Sequence, residues 1–207
     1  MTTKAENLFY SSSLRSSTEG LEVLSLLYDQ VDTIKRKQRK INEQESFFEL
    51  PLVQFEQLES ITKELELMTS MWKLVAQWEA LWEKYREEDF NEIDFDEVEQ
   101  IVEPLLDHFT FAYEANKDRE WDFLFTNKKL LENFNNSLEM FRDLQNPNLD
   151  EKDWNRIRKL AKLDFEDDPE DFNIKFIVDN NFIDFADLIH EISKNAKAKE
   201  EEIESFA

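Results

Sequence analysis

Apolar residues recur at spacings of three and four through almost the whole chain. Leu24, Leu27, Val31, Ile34 and Ile41 form one such stripe, skipping Gln38, and predict a helix from about Leu21 to Glu45. Leu50-Pro51 punctuates its end. Leu58, Ile61, Leu65, Met68, Trp72 and Val75 hold the same spacing, and Trp78, Trp82 and Tyr85 widen that face. A helix from Phe55 to Glu87 would be about 50 Å long at about 1.5 Å per residue. Two stripes divided by a short break predict an antiparallel pair. Asp94 with Glu97 resembles a capping box, followed by Val98, Ile101, Val102, Leu105 and Leu106. Pro104 lies inside this run and is expected to kink or end the helix nearby. The stretch 109–116 has no clear period. Trp121, Leu124, Lys128, Leu131, Phe134, Leu138, Phe141 and Leu144 mark another long helix that stops before Pro147. Asp150 is an N-cap for a helix with Trp154, Ile157 and Leu160 inward. A short helix from Asn173 to Val178 and a last one carrying Phe182, Phe185, Ile189, Ile192, Ala196 and Ile203 complete the pattern.

These periods predict an all-α fold, an elongated antiparallel helical bundle or bundles of long helices without a sheet. One Gly and four Pro leave few residues for hairpin turns, which strengthens that reading. Residues 1–20 read as a flexible polar lead-in, with serine clusters and Gly20 at its end. Residues 21–146 read as the long-helix bundle. Residues 147–207 read as a C-terminal helical subdomain that continues into a missing segment. No internal repeat of fixed period is present.

Charge narrows the function classes. The formal net charge is −23, which argues against nucleic acid and anionic membranes as partners, because both need basic patches. The acidic surface reads as a solvated face, or more sharply as a face that docks on a basic partner. Lys35-Arg36-Lys37 and Arg39-Lys40 form the strong basic run and are expected to meet acidic groups of the same chain. No window of about 18 apolar residues occurs, and the first residues lack an apolar signal core. The absence of Cys removes disulfides, thiolate metal sites and Cys nucleophiles.

The residues give little support to catalysis. A phosphate-cradling loop needs several glycines so that backbone amides can approach the phosphate, and the chain has one. His190 has Asp187 one turn before it, but no Glu-x-x-His motif accompanies either His190 or His108. The acidic run Asp164–Asp171 lacks the glycine of a calcium loop, and Pro169 breaks its offsets. No Gly-x-Ser-x-Gly turn is present. The expectation is no catalytic, cofactor-binding or metal site and no cofactor.

Four segments carry a family resemblance, in order. They are the charged helix Lys35–Glu45 with Phe47-Phe48-Glu49-Leu50-Pro51, the long run FEQLESITKELELMTSMW from Phe55 to Trp72, the turn LQNPNLDEKDW from Leu144 to Trp154, and Phe172–Glu191. Their order and spacing resemble the N-terminal part of the linker region of dynein heavy chains, and the first two look more axonemal than cytoplasmic. Gln145, Asp150 and Asp153 depart from the pattern, standing near places where the family usually carries basic residues and a His. This puts any docking contact through such side chains in doubt.

The resemblance implies a non-catalytic mechanical element, a linker or lever that transmits conformational change from an AAA+ ring absent from this chain. The parent motor would be the ATPase. The ring of the same heavy chain would be the main partner, with other dynein chains possible, and the place would be cytoplasmic and cytoskeletal, in a ciliary or flagellar axoneme. Pro51, Trp72, Pro147, Trp154 and Pro169 are the structural or hinge candidates. The alternative is a helical scaffold or adaptor module that binds partner helices. A more distant one is an acidic mimic of nucleic acid.

Overall fold

The computed structural model describes residues 16–51, 56–119, 121–162 and 172–205. These residues form seven α-helices and three one-turn 3-10 segments, with no strand among them. The protein is all-α. It divides into two compact units at Glu79–Ala80, so residues 80–146 and 147–207 share one unit and no boundary falls at Pro147. Pro169 and the rest of the acidic run lie outside the described residues.

The first unit holds α1 (Ser17–Ser46) and the greater part of α2 (Glu56–Tyr85). Helix α1 starts four residues before the expected start at Leu21, because the Ser16 hydroxyl accepts a hydrogen bond from the Glu19 amide. The Glu79 carboxylate accepts from the Ser17 amide at 3.1 Å and also from the Ser17 hydroxyl. It thereby satisfies an orphan donor of the first turn and favours the positive end of the helix dipole. Gly20 sits inside α1, not in a lead-in, and lies against the Trp72 indole. Ser17 by Glu79 and Gly20 by Trp72 establish the expected antiparallel pairing. The buried part of the α1 stripe is shorter than expected. Leu24 and Val31 are buried, whereas Leu27, Ile34 and Ile41 stay 38–48% exposed.

The second unit begins with Leu81, Trp82 and Tyr85 at the end of α2, all buried. A one-turn 3-10 segment, Phe90–Glu92, leads to α3 (Phe95–Asn116). Asp94 caps α3 by accepting from the amides of Asp96 and Glu97. The helix continues through Pro104 to Asn116, so the proline does not end it. Pro104 and Gln100 both face solvent while Val102, Leu105 and Phe109 face the core. The lost hydrogen bond of the proline therefore leaves the Gln100 carbonyl in water, and its cost stays small.

After the turn Lys117–Arg119, helix α4 (Asp122–Leu144) returns antiparallel to α3. Arg142 near its end fixes this pairing, reaching Asp96 at 2.9 Å, Glu99 at 2.6 Å and the Phe95 carbonyl at 3.1 Å. Helices α5 (Glu151–Ala161), α6 (Ile174–Asp179) and α7 (Ala186–Ser205) follow, with a 3-10 turn at Phe182–Phe185 before α7. Among the described residues, Glu49, Lys162 and Asn181 take left-handed backbone without being glycine. Lys162 ends α5 in this conformation.

The single glycine is the sharpest test of the α1–α2 contact. A Cβ at Gly20 would lie 2.6 Å from the Trp72 ring-fusion carbons Cδ2 and Cε2. Alanine is worth about 1 kcal/mol more than glycine inside a free helix. Overpacking against a buried ring costs about 1–3 kcal/mol. Gly20→Ala is therefore expected to lower the melting temperature, and a rise in thermal denaturation would contradict this packing.

Candidate functional site at the turn between Leu144 and Trp154

The turn is built from buried polar groups. Gln145 leaves α4 with its amide still bonded to the Phe141 carbonyl at 3.1 Å. Its Nε2 donates to the carbonyls of Phe90 at 2.6 Å and Ile93 at 2.9 Å. This ties the end of α4 to the segment that enters α3. Asn146 is buried, with 6% exposure. Its Nδ2 donates to both the carbonyl and the hydroxyl of Ser193 in α7, each at 3.0 Å. Its Oδ1 accepts from the Asn148 amide at 3.1 Å, which turns the chain locally. One side chain thus sets the turn and clasps α7.

Two carboxylates extend the clasp. Asp143, also buried, lies 2.8 Å from Nδ1 of His190, which is half exposed. Asp153, 2% exposed, accepts from Lys199 at 3.2 Å. Asp150 and Asp153 form a reciprocal capping box: Oδ1 of Asp150 accepts from the Asp153 amide at 2.9 Å, and Asp153 accepts from the Asp150 amide. That amide hydrogen bond is the main cause holding the Asp150 carboxyl below the usual carboxylate range.

Apolar packing surrounds these groups. Ile157 is buried as expected, but Trp154 is only half buried. Its indole meets the Phe172 ring edge-on, with centroids 5.7 Å apart. Phe172 then packs on Phe90 at 5.2 Å.

The other candidates do not gather here. Trp72 belongs to the α1–α2 unit and packs on Gly20. Pro51 is exposed at the end of the first described stretch, and Pro147 is exposed at the tip of the turn. His108 is exposed on α3. Among the described residues no group of three His, Asp or Glu side chains is placed to hold a metal ion. The sequence reading missed Gln145, Asn146, Ser193 and Lys199. Ser193 had a signal, being one polar residue among Ile189, Ile192 and Ala196 on the inward face of α7. Gln145 and Asn146 had none, since their partners are backbone carbonyls or lie 47 or more residues away.

The three departures noted in the sequence find their use inside the fold. Gln145 ties two segments, Asp150 caps α5, and Asp153 completes the capping box and holds Lys199.

The family model described as dynein heavy chain, N-terminal region 2, matches residues 58–207. The chain is 25% identical over 190 residues to human dynein axonemal heavy chain 2, covering 92% of this chain. It is 22% identical over 187 residues to the dynein-1-beta heavy chain of the flagellar inner arm I1 complex of Chlamydomonas reinhardtii, covering 90% of this chain. It is 21% identical over the same length to the gamma chain of the flagellar outer arm of that alga. In each case the chain spans 4% of the relative's length.

Asn146→Ala would remove the partner of the buried Ser193 hydroxyl and of the part-buried Asn148 amide, and is expected to cost about 1–3 kcal/mol in denaturant unfolding. An unchanged midpoint would contradict the clasp. Trp154→Ala is expected to cost about 2 kcal/mol, less than for a fully buried indole, because the side chain keeps partial contact with water. The depressed Asp150 carboxyl contributes stability above the ordinary value of 3.8, and this is lost as the pH falls through the lower folded value. Asp150→Asn caps without titrating, so its stability should fall less steeply in that acid range. An identical acid limb in the two proteins would show that the cap does not titrate with folding.

Proposed function

We propose, because this chain belongs to the dynein heavy chain family through its N-terminal region 2, that it is a non-catalytic mechanical element of an axonemal-type motor. In this reading it is part of a linker that carries conformational change generated by an AAA+ ring elsewhere in the heavy chain. The ring is its main partner, and the ciliary or flagellar axoneme is its place, in keeping with the names of its relatives.

The observation that carries the reading is the clasp of Asn146 on Ser193 beside the buried aromatic core. A lever has to pass displacement across its turns without absorbing it. Turns joined by solvated loops bend easily, whereas a turn fastened by buried hydrogen bonds opens only at the cost of leaving them unmade. Pro147 then marks a fixed corner, because the residue before it is locked to α7. Pro51, exposed and without such a fastening among the described residues, is the better place for compliance.

In the full heavy chain, Asn146→Ala combined with Ser193→Ala is expected to spare nucleotide turnover and slow microtubule gliding several-fold. Gliding and turnover that fall in proportion would point to a damaged ring and contradict the lever reading, as would an unchanged gliding rate.

A further inference from the structure

Helix α1 packs on α2 through Gly20 and buries Leu24 and Val31. A second apolar row runs beside that face and is covered by nothing described. Leu27, Ile34 and Ile41 are spaced seven apart and remain 38%, 48% and 43% exposed. Val23, Gln30 and Lys37 are also seven apart and interleave with them at alternating steps of four and three. The second row is mixed, apolar at Val23 and polar at Gln30 and Lys37, so the face offers a seam, one apolar row flanked by a cation, to a helix laid along it. A shallow open groove borders the seam at Gln30 and Ile34, and its other side is formed by Leu26, Asp29 and Thr33.

Charge identifies the occupant. Between Ile34 and Ile41 stand five cations and no acid, in a chain whose net charge is −23. Among the described residues an acid pairs with Arg36, Asp32 at 2.8 Å on the same helix, and the field of Arg39 and Lys35 also reaches that carboxylate. Lys37, in the seam, and Lys40, beside Ile41, make no ion pair with a described residue. We propose that this face of α1 is a docking seam for an amphipathic helix whose apolar rows fill the seam and whose flanks are acidic where they meet Lys37 and Lys40. A second copy of the chain suits it less well. Two bodies of this charge repel, and an antiparallel pairing about the middle of the seam would set Lys37 against Leu27. The inference stands apart from the lever reading, since a strut can also carry a docking face.

The test uses the 207-residue chain and a synthetic helix of about four heptads with Leu and Ile in the seam rows. One peptide carries Glu on its flanks and a control carries Gln, and fluorescence anisotropy reads binding at about 150 mM salt. The Glu peptide is expected to bind about tenfold tighter than the Gln peptide. Ile34→Glu with Ile41→Glu should abolish binding of both, with an unchanged melting curve because both positions are exposed. Lys37→Glu with Lys40→Glu should remove the preference for the Glu peptide while the Gln peptide still binds. Equal binding of the two peptides, or a preference that survives charge reversal, would overturn the proposal. So would a dimer in sedimentation that Ile34→Glu with Ile41→Glu dissolves, since that assigns the seam to a second copy.

Discussion

Phe90 is completely buried, and three rings close around it: Phe95 at 5.4 Å, Phe172 at 5.2 Å and Phe141 at 6.2 Å. Those rings come from the start of α3, the lead into α6 and the last turns of α4. Phe141 passes the contact to Phe134, and Phe134 to Trp82. Each tilted or edge-on pair adds about 0.5–1.5 kcal/mol beyond burial. More important for mechanics, close-packed rings cannot slide past one another without opening a void. The end of α2, the start of α3, the second half of α4 and the lead into α6 meet about this constraint, and the polar clasp at Asn146 sits at its margin, where α4 ends.

The periodic part of this architecture was legible in the sequence. The stripes of α2 and α4 emerged close to their observed bounds, because an apolar residue every three or four positions has few other uses, whereas Phe182 and Phe185, expected on the last helix, form a 3-10 turn before it. Asp94 and Asp150 were readable as caps for a similar reason: a short acid before an apolar run has a local partner in the next turn. Pro104 misled because a proline costs little when its face of the helix is solvated. Gly20 misled because its purpose, room for an indole more than fifty residues away, has no local signature. Leu27, Ile34 and Ile41 looked like core, yet an apolar stripe fixes only that a helix has an apolar face, not that the chain itself covers it.

The site was legible as a turn and not as a clasp. The residues around Pro147 announced a helix end, and the expected boundary between two subdomains followed from that. What joins the two sides is held by Asn146 and Asp143, whose partners Ser193 and His190 lie 47 residues along the chain, while Asp153 ties α5 to α7 through Lys199, 46 residues along. No periodicity encodes such pairs. Gln145, Asp150 and Asp153, which depart from the pattern expected near this turn, each have a partner within the chain: Gln145 and the buried Asp153 hold other segments, and the exposed Asp150 caps α5. The acidic exterior is compatible with that division, because charges that stay in water cost no burial while the unit's stiffness comes from rings and a few buried hydrogen bonds.

The central claim is that α4, α5 and α7 behave as one body across the turn at Pro147. Native-state hydrogen exchange under increasing denaturant tests it most directly. The account predicts that the slow amides of residues 138–144, 154–160 and 189–196 merge into a single opening with one free energy and one denaturant dependence. Exchange of α5 and α7 through a separate, smaller opening, while α4 stays protected, would contradict it.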